Sequence, residues 1–216
     1  MPVIKREILE NLLARTNSAP VTLIEGPRSV GKSTLLAQLA ELYKVRVLNL
    51  DNPTVLESVD ADTEFYLSGS SPIAIDEYQK IPKLLDWIKS ELNSDSSAGR
   101  FILAGSTSFL SLPKGAQSLT GRLGRIKIEP FSQAEIEGVP ASKVSELTNP
   151  EWFRGQRIGK TSRDEYLDRV LKGSFPLAVQ KTTSNERAQW ADDYTEIVLE
   201  RDLDITAPVR NKTALR

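Results

Sequence analysis

The chain has 216 residues, enough for one α/β domain with additions or for one domain and part of a second, and its formal charge of −1 gives no global pull toward nucleic acid. It contains no cysteine and no histidine, which excludes disulfides, thiol nucleophiles, histidine bases, Ser-His-Asp triads and the usual zinc sites. No apolar run is long enough to span a bilayer, and a reducing cytoplasm is the default expectation.

The amino terminus, MPVIKREILENLLAR, carries charges throughout an amphipathic pattern, so it predicts a helix over 4–15 and not a signal peptide. VTLIE (21–25) reads as a buried strand, and 32–43 as a helix with Leu35, Leu36, Leu39 and Leu42 on its apolar face. Between them lies GPRSVGKST, with the spacing Gly-x-x-x-x-Gly-Lys-Ser of a P-loop, or Walker A motif. A glycine-rich loop that opens a helix presents backbone N–H groups and the positive end of the helix dipole to one point, which suits phosphate. Gly26 and Gly31 permit the turns and close approaches this needs. Lys32 reaches β- and γ-phosphates, and the Ser33 hydroxyl ligates Mg²⁺. Gly26, Pro27, Arg28, Ser29, Val30, Gly31, Lys32, Ser33 and Thr34 are the candidate nucleotide-binding residues, with Arg28 expected to point outward. The plain alternative is a tight strand-to-helix turn with a solvated lysine.

VRVLNL (45–50) is the next predicted strand, followed by a helical segment near 53–68. SPIAIDEYQ (71–79) ends an apolar strand in Asp76 and Glu77. Downstream of a P-loop this is the arrangement a Mg²⁺-dependent ATPase needs: Asp76 to hold the metal, directly or through water, and Glu77 to polarise the attacking water. A helix over LLDWIKSEL (84–92) and a polar loop NSDSSAG (93–99) lead to the strand RFILAG (100–105). In P-loop ATPases with an extra strand between the two motif strands, a polar side chain here touches the γ-phosphate or the water. Ser106 is the first candidate, with Thr107 and Ser108 behind it; the other reading is a serine-rich helix cap. GRIKIE (124–129) is the fifth strand. Strands alternating with helices predict right-handed βαβ units and a five-stranded, mostly parallel sheet covered on both faces.

Beyond residue 130 the pattern turns helical. FSQAEIEG is a short helix with Ser132 and Glu135 at capping-box spacing, WFRGQRIGKTSR (152–163) a basic loop, and DEYLDRVLKG (164–173) a helix closed by Gly173. The segment 186–205 places Trp190, Tyr194, Ile197, Val198 and Ile205 at helical spacing, a packing face. The expected organisation is a P-loop core over 1–130 and a mainly helical extension over 131–216. Arg154, Arg157, Lys160 and Arg163 fall in the basic loop with no acid between them. They make it either a solvated loop or a contact for nucleic acid or a protein partner.

Taken in order, GPRSVGKSTLL, AIDEYQKIPKLLDWIK, RFILAGSTSFL, SLTGRLGRIKIEPFSQAE, LKGSFPLAV and YTEIVLERDL resemble the landmarks of bacterial and archaeal AAA-type ATPases that carry a C-terminal domain of unknown function. The resemblance covers residues 5 to 205. It implies an additional-strand P-loop core, a helical connector and then a winged-helix-like and nuclease-like region. The chain stops at Arg216, about where that region should begin, which implies a fragment or a shortened member. Ser174 stands in LKGSFP where the family often has a second glycine. The resemblance also draws attention to Arg122, in the LTGRLGR stretch. Near the γ-phosphate it would act as sensor or finger; otherwise it is a surface arginine before an edge strand. ATP and Mg²⁺ are the expected ligands. Asn211-Lys212-Thr213-Ala214 lacks the aspartate of a guanine-reading motif, and a small-molecule kinase fits less well because Glu77 directly after Asp76 suits water activation. The expected function is an ATPase used as a nucleotide switch, the alternative an ATP-binding interaction module with little hydrolysis, and a homo-oligomer is one expected state.

Overall fold

The computed structural model describes residues 4–69, 72–106, 119–140, 148, 150–151 and 161–206, with side chains as far as Leu199. These residues divide into two compact units: Glu7–Glu129, and a second that joins the residues up to Arg6 to those from Pro130 onward.

In the first unit, helix α1 (Ile8–Thr16) leads into β1 (Val21–Glu25), α2 (Lys32–Tyr43) and β2 (Val47–Asn49). Then come α3 (Pro53–Ala61), α4 (Thr63–Leu67), β3 (Ile73–Asp76), a 3-10 turn (Tyr78–Lys80), α5 (Leu84–Ser94), β4 (Phe101–Gly105) and β5 (Leu123–Lys127). The five strands form one sheet in the order β2-β3-β4-β1-β5. Every pairing is parallel. β4 therefore lies between β1 and β3, the two strands that end in the Gly-Lys-Ser loop and the Asp-Glu pair.

β1 and β4 are buried along their whole length, as central parallel strands covered on both faces must be. Side chains alternate between those faces. Val21, Leu23, Ile75, Phe101 and Leu103 meet Leu84, Ile88 and Leu92 of α5 in one apolar cluster, which Leu50, Val59 and Leu67 close. On the other face α2 packs on β1, β3 and β4, burying Leu35, Leu36 and Leu39. Leu42, expected on that apolar face, is 58% exposed. It lies in the last turn of α2, just before the left-handed Lys44 ends the helix. The segment 53–68 is two helices rather than one. Asp62 takes a non-helical conformation, and its carboxylate caps the second helix by accepting from Phe65 N–H.

The second unit contains α6 (Gln133–Glu137), α7 (Arg163–Lys172), α8 (Pro176–Val179) and α9 (Ser184–Thr206). Ser132 and Glu135 make both bonds of a capping box, and Ser162 and Glu165 make a second. Glu135 also accepts from the buried Arg6 at 3.0 Å, whose guanidinium lies 4.7 Å from the centre of the Phe131 ring. Part of the predicted stripe on α9 is covered: Trp190 and Tyr194 stack on each other and pack against Phe175 at 5.6 and 5.0 Å. Ile197 stays 48% exposed.

Candidate functional site

The register of the sheet levels the carboxyl ends of three strands. Glu25 pairs with Gly105, and Asp76 with Ala104. The loops that leave β1, β4 and β3 thus emerge side by side, with the first and last of these strands roughly 10 Å apart at about 4.8 Å per strand. In open α/β sheets this is the edge where ligands bind.

The loop after β1 follows its sequence pattern. A Cβ on Gly26 would stand 2.5 Å from the backbone oxygen of Ile128, so only glycine lets the loop pass the end of β5. Ser29 and Gly31 are left-handed, with φ of 59° and 100°. Gly31 is the N-cap of α2, and the first intrahelical bond runs from Leu35 N–H to its carbonyl. The N–H groups before it point out of the helix end, where the dipole favours negative charge. The Lys32 side chain folds back over the loop. Its ammonium donates to the carbonyls of Gly26 and Pro27 at 2.9 and 2.8 Å, and the residue is only 6% exposed. Ser33 and Thr34 are exposed, Val30 is buried, and Arg28, expected to point outward, is partly buried.

Asp76 is buried at the last position of β3, and one of its oxygens accepts from the backbone N–H of Glu77 at 3.1 Å. Glu77 is a left-handed non-glycine residue, φ 54°, that turns the chain into the 3-10 turn. Its carboxylate accepts from the Gln79 side chain. The Gln79 amide nitrogen also lies 3.5 Å from Ser106 Oγ, at the end of β4. Gln79 was not singled out by the sequence; its nearness to Ser106 spans 27 positions, and no spacing rule signals it. Beneath these groups the Tyr78 ring is buried. Burial first, and then the charge of Glu25, push its phenol well above the usual range, so it is neutral there. Glu25 itself is paired with Arg125 at 2.7 Å.

The sheet brings Lys32, Asp76, Glu77 and Ser106 to one edge. It does not bring Arg122 there. Arg122 immediately precedes β5, its carbonyl accepts from Val21 N–H, and its guanidinium donates to Asn93 Oδ1 at 3.2 Å. Because β5 runs parallel to β1, a residue before it lies at the amino edge, a strand length or roughly 16 Å from the P-loop. Within one chain the sensor or finger expectation for Arg122 is replaced by a contact with the end of α5. Thr107, Ser108, Arg154, Arg157 and Lys160 lie outside the described residues; Arg163 opens α7 and is exposed. Among the described residues there is no group of three or more acidic side chains that would hold a metal ion, and no helix long and apolar enough to cross a membrane.

An all-parallel sheet with an extra strand between a Gly-Lys-Ser loop and an Asp-Glu turn defines an α/β P-loop NTPase of the additional-strand type. Comparison with known proteins gives the family. A model described as AAA domain matches residues 18–137, more than half of the chain, and the chain belongs to this family of AAA-type P-loop ATPases. Uncharacterized proteins of Mycobacterium tuberculosis and Mycobacterium bovis are each 26% identical over 204 residues, which is 94% of this chain and 40% of theirs. The chain therefore spans less than half the length of the curated relatives it matches. Among solved structures, domain III of the replication initiation protein DnaA of Thermotoga maritima is similar with a TM-score of 0.50 at 12% identity, over 89% of this chain and 94% of that one. That likeness is one of fold.

Proposed function

We propose that the chain binds ATP with Mg²⁺ on the loop 26–34 and hydrolyses it, using the change of nucleotide state as a switch. The observation that carries this reading is the buried Lys32 ammonium held over the loop by two of its own carbonyls. A cation kept there at the N-terminus of a helix is exchanged readily onto phosphate oxygens, trading neutral acceptors for charged ones.

In this reading the residues 26–34 hold the phosphates, chiefly through backbone N–H groups and Lys32. Ser33 and Asp76 would hold Mg²⁺. A hydroxyl and a carboxylate are hard oxygen donors that fit this ion, which takes its remaining ligands from phosphate and water. The metal would supply charge neutralisation on the phosphates. Glu77 takes the proton of the attacking water, and Ser106 orients the water or the γ-phosphate. The organisation into a P-loop core and a helical extension that feels the nucleotide state is part of the same proposal. So are a nucleic-acid or protein contact through 152–163 and self-association of the chain.

Phosphate release from Mg·ATP, followed in wild type and Glu77→Gln, tests the chemistry. Steady release by wild type and little by the variant is the expected pair of results. Equal release by both would remove Glu77 as the base, and tight binding without release by wild type would favour an ATP-binding interaction module.

A further inference from the structure

Gln79 lies on the 3-10 turn that follows Asp76 and Glu77. Its amide nitrogen donates to the Glu77 carboxylate and reaches Ser106 Oγ at 3.5 Å. One side chain thus links the ends of β3 and β4. A carboxylate only accepts, so the end of the amide that faces it must be the NH₂. The Gln79 carbonyl oxygen then faces the other way, buried, with no hydrogen-bond donor among the described residues. It lies against Gly105, where an added Cβ would come within 2.3 Å of that oxygen and 2.7 Å of the Tyr78 ring.

Two local features here are unfavourable in themselves. A buried amide oxygen loses its water without gaining a partner. Glu77 takes a left-handed backbone that non-glycine residues rarely adopt. Both serve the same result: the Glu77 carboxylate is turned back toward β4 and held there by an amide. Gly105 completes the arrangement, because any side chain at that position would displace the amide.

We propose that Gln79 is a positioning residue for Glu77, fixing the direction of its carboxylate and tying it to Ser106; this rests on the reading of Glu77 as the base. Gln79 itself touches neither water nor nucleotide in this role. Its loss leaves ATP binding intact and misdirects the carboxylate, and small misplacements of a catalytic group cost about tenfold to hundredfold in rate.

The test compares wild type, Gln79→Ala, Gly105→Ala and Glu77→Ala in the full chain, with three readouts. Calorimetry gives the affinity for Mg·ATP, phosphate release gives kcat and KM, and ¹H–¹⁵N spectra of the nucleotide-free protein give the Gln79 side-chain NH₂ signal, identified by its loss in Gln79→Ala. The expected result for Gln79→Ala is an affinity and a KM within about twofold of wild type and a kcat lower by about tenfold to hundredfold. Gly105→Ala should repeat that pattern with Gln79 still present; should it fail to fold, Gln79→Ala alone decides. The NH₂ signal should move in Glu77→Ala. Unchanged kcat in Gln79→Ala, an affinity that falls in step with kcat, or an NH₂ signal indifferent to Glu77→Ala would each overturn the proposal and leave the ATPase reading standing. Failure of wild type to bind ATP would overturn both. In a chain that binds ATP without turnover, the NH₂ signal is the deciding readout.

Discussion

Replacing Lys32 by alanine removes the one charge that the P-loop itself holds beneath its carbonyls. In the nucleotide-free protein its ammonium makes hydrogen bonds of 2.9 and 2.8 Å to Gly26 and Pro27. With ATP bound it would instead meet phosphate oxygens, and a hydrogen bond to a charged group contributes about 1.5–3 kcal/mol. At about 1.4 kcal/mol per factor of ten, ATP affinity should fall by one to two orders of magnitude. The effect on folding should be much smaller. Two bonds to carbonyls are lost, but the cost of burying an ammonium in a residue 6% exposed is lost with them. These oppose each other, so the net change should stay under about 1 kcal/mol, a shift of about 4 °C for a domain of this size. Calorimetric titration with Mg·ATP measures the first quantity and thermal melting the second. Unchanged affinity would refute the P-loop assignment. Lost affinity together with a collapsed melting temperature would mean that Lys32 is a structural clamp and that the reasoning about exchange onto phosphate is wrong.

Other outcomes follow from the same geometry. Glu77→Gln keeps the size of the side chain and should bind Mg·ATP at least as tightly as wild type, as measured by calorimetry, because only the base is lost. Gly26→Ala places a Cβ 2.5 Å from the Ile128 carbonyl, a backbone atom that cannot swing aside. Urea unfolding should show a loss of about 1–3 kcal/mol, and unaltered stability would mean that this loop yields freely. On α9, Phe175 covers Trp190 and Tyr194 but leaves Ile197 48% exposed, so sedimentation at several concentrations should reveal weak self-association; a strict monomer at all of them would count against it.

Much of this was legible in the sequence because it is encoded locally. The glycine spacing fixes the P-loop, since left-handed turns and a close backbone approach each demand glycine at a particular place. The capping box at Ser132 and Glu135 reads directly from residues three apart. β1 and α2 fall at the residues their apolar pattern predicts, because a fully buried strand and a one-sided helix leave different periods. What depends on distant parts of the chain was less legible. Leu42 has helical spacing, but α2 ends just beyond it, and no sequence period says where the sheet stops offering cover. Arg122 has a suggestive neighbour sequence, yet the direction of β5 decides which end of the sheet it occupies. Gln79 is two residues past Glu77, and nothing in that spacing reveals that a left-handed residue and a 3-10 turn bring its amide back to the carboxylate and to Ser106.

The central claim is that the loop 26–34 is an ATP site that uses Mg²⁺. Equilibrium titration of the wild-type chain with ATP, with and without Mg²⁺, tests it most directly. One ATP per chain, bound more tightly when Mg²⁺ is present and weakly by Lys32→Ala, is the predicted result. No saturable binding under either condition, or binding that Lys32→Ala leaves untouched, would contradict the account.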